Sequence, residues 1–172
     1  MRCQRRRWGT IALMVLLIIA TGMLMPRAAT QNDYYVSPDG DDANPGTFDQ
    51  PWRTIQHAVD SVGPGDTIWV RGGTYNEGMI IETSGLPGLP ITLNGYPGET
   101  AVLNGRGLER RDGIDIGGAD HWVFQHLIIQ DYSLEGERGF GFVSRHHSQG
   151  ITLRNLEFAL VGTAIKFQMG GE

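Results

Sequence analysis

The chain of 172 residues has one cysteine, Cys3, and one lysine, Lys166. With no cysteine after position 3, disulfides and thiolate metal sites are excluded from everything downstream. Stability there must come from burial and hydrogen bonds. With lysine almost absent, arginine carries the positive charge, and it is unevenly spread. Arg2, Arg5, Arg6, Arg7 and Arg27 all precede position 31, and without them 9 basic side chains face 19 acidic ones, a net charge of −10. A surface this acidic repels phosphate backbones, which argues against a nucleic acid partner. An acidic glycan is repelled too, unless a cation such as calcium lies between. A sustained helical period is also missing after Asp66.

The one long apolar run, Thr10 to Met25, follows the first four arginines and precedes PRAATQ. A basic segment, an apolar segment and a small-residue tail are the layout of a secretory signal over residues 1–30, which places the protein outside the cell or at its surface. The alternative is an uncleaved membrane anchor, for which the run is short. Arg27 sits where a small residue is wanted for cutting after Ala29. Cys3 lies before the run, the wrong side for a lipoprotein.

Beyond the signal, YYVSPDGDDANPGT is a short strand followed by a loop of turn-forming residues. In QPWRTIQHAVDSVGPGD, Ile55, Ala58, Val59 and Val62 fall on one face of a helix, which Gly63 and Pro64 end. The spacing predicts this helix over about 51–62. From about residue 66 onward, short apolar strands recur between glycines and polar corners: TIWV, MIIET, ITLNGY, AVLNG, GIDIG, WVFQ, GFGFVS, ITLRN and AIKFQ. ITLNGY at 91, GIDIG at 113, GFGFVS at 139 and AIKFQ at 164 step by 22, 26 and 25 residues, and AVLNG at 101, WVFQ at 122 and ITLRN at 151 step by 21 and 29. Two interleaved series of similar period indicate repeats, each too small to bury its own apolar face. Stacked, they predict an all-β solenoid whose parallel strands lie about 4.8 Å apart. Gly72 and Gly73 suit a corner after TIWV. The helix is placed to cover the first coil, whose unpaired edge would otherwise invite association.

YYVSPDGDDANPGTFDQPWRTIQHAV followed by PGDTIWVRGGTYNE, with SGLPGLPITLNGYPGETAVLNG after it, resembles the N-terminal part of secreted right-handed parallel β-helix proteins. The nearest group is the pectate-lyase-like one, with family-nine polysaccharide lyases and related uncharacterised surface proteins. The resemblance covers roughly residues 34–160. It implies a protein that acts on or binds polysaccharide, acidic or neutral. It also implies calcium, an aspartate cluster and a lysine base, in coils later than those present here. On that reading residues 31–172 are the N-terminal part of a β-helix domain, the catalytic coils are absent, and the open last coil is free to self-associate. The alternative is a non-catalytic surface, adhesion or glycan-binding module, since one scaffold hosts many functions.

Several residues are candidates for chemistry. The loop Asp39 to Gly46 holds three aspartates but lacks the spacing of an EF-hand, so its expected role is to set up the helix through Asx hydrogen bonds. Alternation points Asp115 and Lys166 outward, two coils apart, with Gly141 expected between them to leave room for a sugar ring. Elimination from a uronate needs a base for the α proton and a cation to acidify it. Lys166 is the candidate base and Asp115 the candidate calcium ligand. The alternative is a solvated strand face. Tyr75, Tyr96 and Tyr132, next to corners, are the aromatics expected to stack on sugar. Asn94, Asn104 and Asn155 near strand ends are candidates for a corner ladder. His121 and His126 have no partner at metal-ligand spacing.

Overall fold

A computed structural model describes residues 30–109, 112–132 and 139–167. The segment expected to be a signal lies, up to residue 29, outside the described residues. The described chain holds one helix, α1 (Ile55–Ser61), and thirteen strands. The strands fall into three parallel sheets, one strand from each sheet per coil. Sheet A orders β1 (Asp33–Val36), β2 (Thr67–Val70), β5 (Ile91–Gly95), β8 (Trp122–Gln125) and β11 (Thr152–Arg154). Sheet B orders β3 (Gly73–Tyr75), β6 (Ala101–Asn104), β9 (Ile128–Gln130) and β12 (Glu157–Ala159). Sheet C orders β4 (Met79–Ile81), β7 (Asp112–Ile116), β10 (Phe140–Ser144) and β13 (Thr163–Phe167). This is the expected all-β, right-handed parallel β-helix. Each coil has three faces, however, which corrects the two series read from spacing. ITLNGY belongs to sheet A while GIDIG, GFGFVS and AIKFQ belong to sheet C, and AVLNG belongs to sheet B while WVFQ and ITLRN belong to sheet A.

Inward side chains stack in rows along the axis. Ile68, Leu93, Phe124 and Leu153 are in register, as are Met79, Ile114, Phe142 and Ile165. Burying such a side chain contributes about 1.5–3 kcal/mol, and only a neighbouring coil makes that burial possible. The corner after β2 works as expected. Gly73 has φ 145°, and a Cβ there would lie 2.5 Å from Pro38 Cγ.

The helix is shorter than predicted because Thr54 is its N-cap, with the hydroxyl accepting from His57 N at 3.2 Å. Trp52 instead bridges Val36 in parallel and belongs to the sheet edge. One of the three loop aspartates, Asp42, serves the helix as the sequence suggested, while Asp41 accepts locally from Ala43 N. Asp42 accepts from the backbone N–H groups of Arg53 and Thr54 and from the Thr54 hydroxyl, each at 2.9 Å. Glu77 accepts from Ile55 N and Gln56 N at 2.8 and 3.0 Å. Gln56 then does what a neighbouring strand would do. Its Oε1 accepts from Ile80 N at 2.8 Å and its Nε2 donates to Ile80 O at 3.0 Å, on the open edge of β4.

Candidate functional site

On the outer face of sheet C, β7 supplies Asp112 and Asp115, β10 supplies Phe140 and Val143, Arg145 follows β10, and β13 supplies Lys166. A local break in the alternation makes this face. A Cβ on Gly113 would meet Ile129 Cγ2 at 2.9 Å, and one on Gly141 would meet Phe158 Cδ1 at 2.4 Å, so both glycines face the core. The next residues, Ile114 and Phe142, are fully buried in that core as well. Two consecutive inward positions turn Asp112 and Asp115 to the same outer side. Arg145 ties them together. Its Nε donates to Asp115 Oδ2 at 3.0 Å, and Nη2 pairs with Asp112 Oδ2. The hydrogen bond to Asp115 is the main cause that holds the Arg145 guanidinium above its ordinary pKa. The second oxygens, Asp112 Oδ1 and Asp115 Oδ1, are buried with no hydrogen-bond partner.

The expected Asp115–Lys166 arrangement is corrected in one respect. Both residues are on this face, but Val143 and not Gly141 lies between them in register. Gly141 points inward, so the gap foreseen for a sugar ring is filled by a buried valine. Lys166 Nζ sits 4.8 Å from the centroid of the Phe140 ring, a cation–π contact. Of the Asp115 carboxylate, the candidate calcium ligand, Oδ2 is engaged by the Arg145 guanidinium. Among the described residues no three acidic, histidine or cysteine side chains converge as a metal group, and calcium takes six to eight oxygens.

Two of the three tyrosines proposed for sugar stacking are core residues. Tyr75 is 3% exposed and Tyr132 fully buried. The Tyr75 hydroxyl lies 3.1 and 2.9 Å from the carbonyl oxygens of Val36 and Arg71, and burial, with Glu77 adding to it, pushes the phenol well above its ordinary pKa. The Tyr132 hydroxyl donates to the carbonyl of Glu77, and its ring fills the space a Cβ on Gly105 would take. A corner has an inside as well as an outside, and proximity to one does not tell which.

Tyr96 is half-exposed on the outside of sheet A, in a cluster that the sequence did not reveal. Its ring lies 6.0 Å from Trp69, 6.0 Å from Phe48 and 6.3 Å from Tyr35. Arg71 is held between Phe48 and Tyr96, its guanidinium 4.7 and 4.9 Å from the two centroids. Glu99 fixes it there, accepting from Nη2 at 2.7 Å and from Nε at 3.0 Å. That bond, then the N–H of Gly72, holds the Glu99 carboxyl below its ordinary pKa. Next along the axis, His126 joins Asn94 and Asn155. Its Nδ1 is 2.9 Å from Asn94 Oδ1, and its Nε2 is 2.9 Å from Asn155 Nδ2. With an amide oxygen on one side and an amide NH₂ on the other, the matching tautomer carries its proton on Nδ1. The expected asparagine ladder is therefore Asn94–His126–Asn155. Asn104 is apart from it and accepts from Arg106 N in a local turn at 2.8 Å.

The three-sheet parallel coil defines the class, and the family follows from comparison. Residues 34–165 match the family described as Pel9A-like, right handed beta helix region, and the chain belongs to that family. It is 36% identical over 140 residues to the pectate lyase PEL9 of Emericella nidulans, an alignment covering 72% of this chain and 33% of that protein. It is 37% identical over 110 residues to the uncharacterized protein YwoF of Bacillus subtilis, covering 61% of this chain and 24% of that protein. Among solved structures, the GH136 lacto-N-biosidase from Eubacterium ramulus superposes with a TM-score of 0.64 at 20% identity, over 80% of this chain and 30% of that one. That last likeness is one of fold alone. The chain spans 24% and 33% of the lengths of these two curated relatives.

Proposed function

We propose that these coils are the N-terminal part of a secreted, pectate-lyase-like protein that acts on acidic polysaccharide with calcium, and that the eliminating groups lie on other coils. The observation that carries the reading is the 36% identity to the pectate lyase PEL9 over a third of that protein's length. The local chemistry supports placing the reaction elsewhere. Asp112 and Asp115 share a guanidinium, Lys166 rests on a phenylalanine ring, and the place foreseen for a sugar is filled by Val143. Lysine acts as a base only when neutral, which needs burial or cationic neighbours.

The test is to express the reading frame past Glu172 together with these coils and to follow the ultraviolet absorbance of unsaturated uronate released from pectate. The extended protein is expected to produce it with calcium and to stop on chelation, while residues 31–172 alone produce none. An extended protein that cleaves no acidic polysaccharide would overturn the reading in favour of a binding module. A calcium-dependent rate from residues 31–172 that disappears in Lys166→Ala would return the chemistry to sheet C.

A further inference from the structure

The aromatic cluster on sheet A is not needed by the core. On the same strands Ile68, Val70 and Leu93 point inward and are fully buried. Tyr35 and Trp69 are the outward residues between them and are in register on β1 and β2, with Asn94 and Gln125 continuing the row on β5 and β8. Four aromatic side chains on the outside of an acidic protein leave apolar surface in water, a cost of about 25 cal/mol for each Å².

The rings are also held in place. Trp69 Nε1 donates to Asp33 Oδ1 at 3.0 Å, and the indole meets Tyr96 edge-on, which together fix its orientation. Phe48, 46% exposed, meets Tyr35 edge-on at 5.4 Å. Arg71 locks Phe48 to Tyr96 and is itself locked by Glu99. A preset surface of this kind loses little conformational freedom on binding. Beside it, toward the later coils, lies a cleft of about 240 Å³ lined by Asn94, Tyr96, Pro97, Glu99 and His126. Ring faces and cleft therefore follow one another along the axis of the coil.

We propose that this surface binds a neutral, pyranose-based polysaccharide. A pyranose ring offers an apolar C–H face and a rim of hydroxyls. The first suits the faces of Trp69 and Tyr96, the second the polar lining of the cleft at Asn94, Glu99 and His126, where the acceptor oxygens of Asn94 and Glu99 keep lone pairs beyond those used by His126, Arg71 and Gly72. Charge selects the neutral class. The positive charge of Arg71 is matched by Glu99, Asp33 adds a further carboxylate, and residues 31–172 carry a net charge of −10. Among the described residues a polyuronate would meet no unmatched cation at the rings or the cleft; the next one in the row is exposed Arg154 on β11, two coils beyond Asn94. The proposal rests on the polysaccharide role but concerns a different sheet and a different sugar class, so the two can fail separately.

Affinity electrophoresis of residues 31–172 through gels containing β-1,4-galactan, xyloglucan or galactomannan, with polygalacturonate as the charged comparator, decides the matter. Retardation by at least one neutral polymer is expected. Trp69→Ala and Tyr96→Ala should each weaken it tenfold or more, and Phe48→Ala severalfold. Thr152→Ala, on the same outer face away from the rings, should leave it within twofold. Trp69→Phe guards against misfolding, since it keeps an aromatic face and should retain most of the binding. Retardation by polygalacturonate alone, by none of the polymers, or by a neutral polymer with Trp69→Ala and Tyr96→Ala unaffected would overturn the proposal. Loss of lyase activity in the extended protein would leave it standing.

Discussion

The two ends of the described stack treat equivalent side chains differently. Met79, Ile114 and Phe142 occupy one inward row and are fully buried, yet Ile165, the next in register, is 42% exposed. In the neighbouring row Ile81 and Ile116 are fully buried and Ser144 nearly so, and Phe167 is 60% exposed. At the other end α1 lays Ile55, Ala58 and Val59 over the first coil, with Glu77 and Gln56 satisfying backbone groups on both partners. An inward position in a stack of this kind is thus only half a burial site. The other half is supplied by the next layer, whether that layer is a coil or a helix.

The largest expected effect contrasts two phenylalanines in contact, Phe142 and Phe167, whose centroids are 6.0 Å apart. Phe142→Ala should destabilise residues 31–172 by about 3–5 kcal/mol in urea unfolding. Phe167→Ala should cost less than about 1 kcal/mol. Equal costs would show that the last coil is as well covered as the first.

Next in size is assembly. Unpaired parallel edges and exposed apolar rows template association. Light scattering should find residues 31–172 associated, and Ile165→Glu combined with Phe167→Glu should return a monomer. A monodisperse monomer without the substitutions would contradict the contrast between the ends.

The smallest effect is at the helix end, where two carboxylates with opposite pH linkage meet. For Asp42 burial pushes the pKa up, but the donors on Thr54 and Arg53 outweigh it and hold the carboxyl below its ordinary value. Its contribution is present above the unfolded value of about 3.9 and is lost as pH falls through the lower folded value. For Glu77 burial wins over the N–H groups of Ile55 and Gln56 and raises the pKa. Its contribution is complete below about 4.3 and is lost as pH rises through the higher folded value. Urea midpoints between pH 3 and 7 should therefore show the advantage of wild type over Asp42→Asn growing with pH, and its advantage over Glu77→Gln shrinking. Parallel trends would show that one of the two assignments is wrong.

The fold was legible because repetition and alternation are properties of the chain itself. The helix was legible for the same reason, apart from its first turn, where Trp52 joins an edge that no local pattern announces. The outer face of sheet C was legible only in part. Asp115 and Lys166 were placed outward, but the pair of inward positions at Gly113 and Ile114 shifts the parity of β7, and β10 repeats the shift at Gly141 and Phe142. Alternation counted from either end of those strands then misses what lies between. Asp112 and Arg145 escaped notice because they meet across coils. Tyr132 was misplaced because Gly105 in the preceding coil leaves room for its ring on the inside of a corner, and Tyr75 because its hydroxyl finds the Val36 and Arg71 carbonyls there. Phe48, a loop residue, reaches the cluster around Arg71 only through the return of the chain beside β1.

The Gln56 amide on Ile80 has a consequence for the order in which the molecule is built. A side chain stands in for the missing strand, so the backbone groups of Ile80 that point away from β7 are satisfied without a preceding coil. That gives the ladder a fixed origin. Each later coil can then be laid on a surface already in place, in the direction in which the chain leaves the ribosome. A pull on residue 167 would meet the reverse, with outer coils peeling away first and the glutamine-held rung last to part.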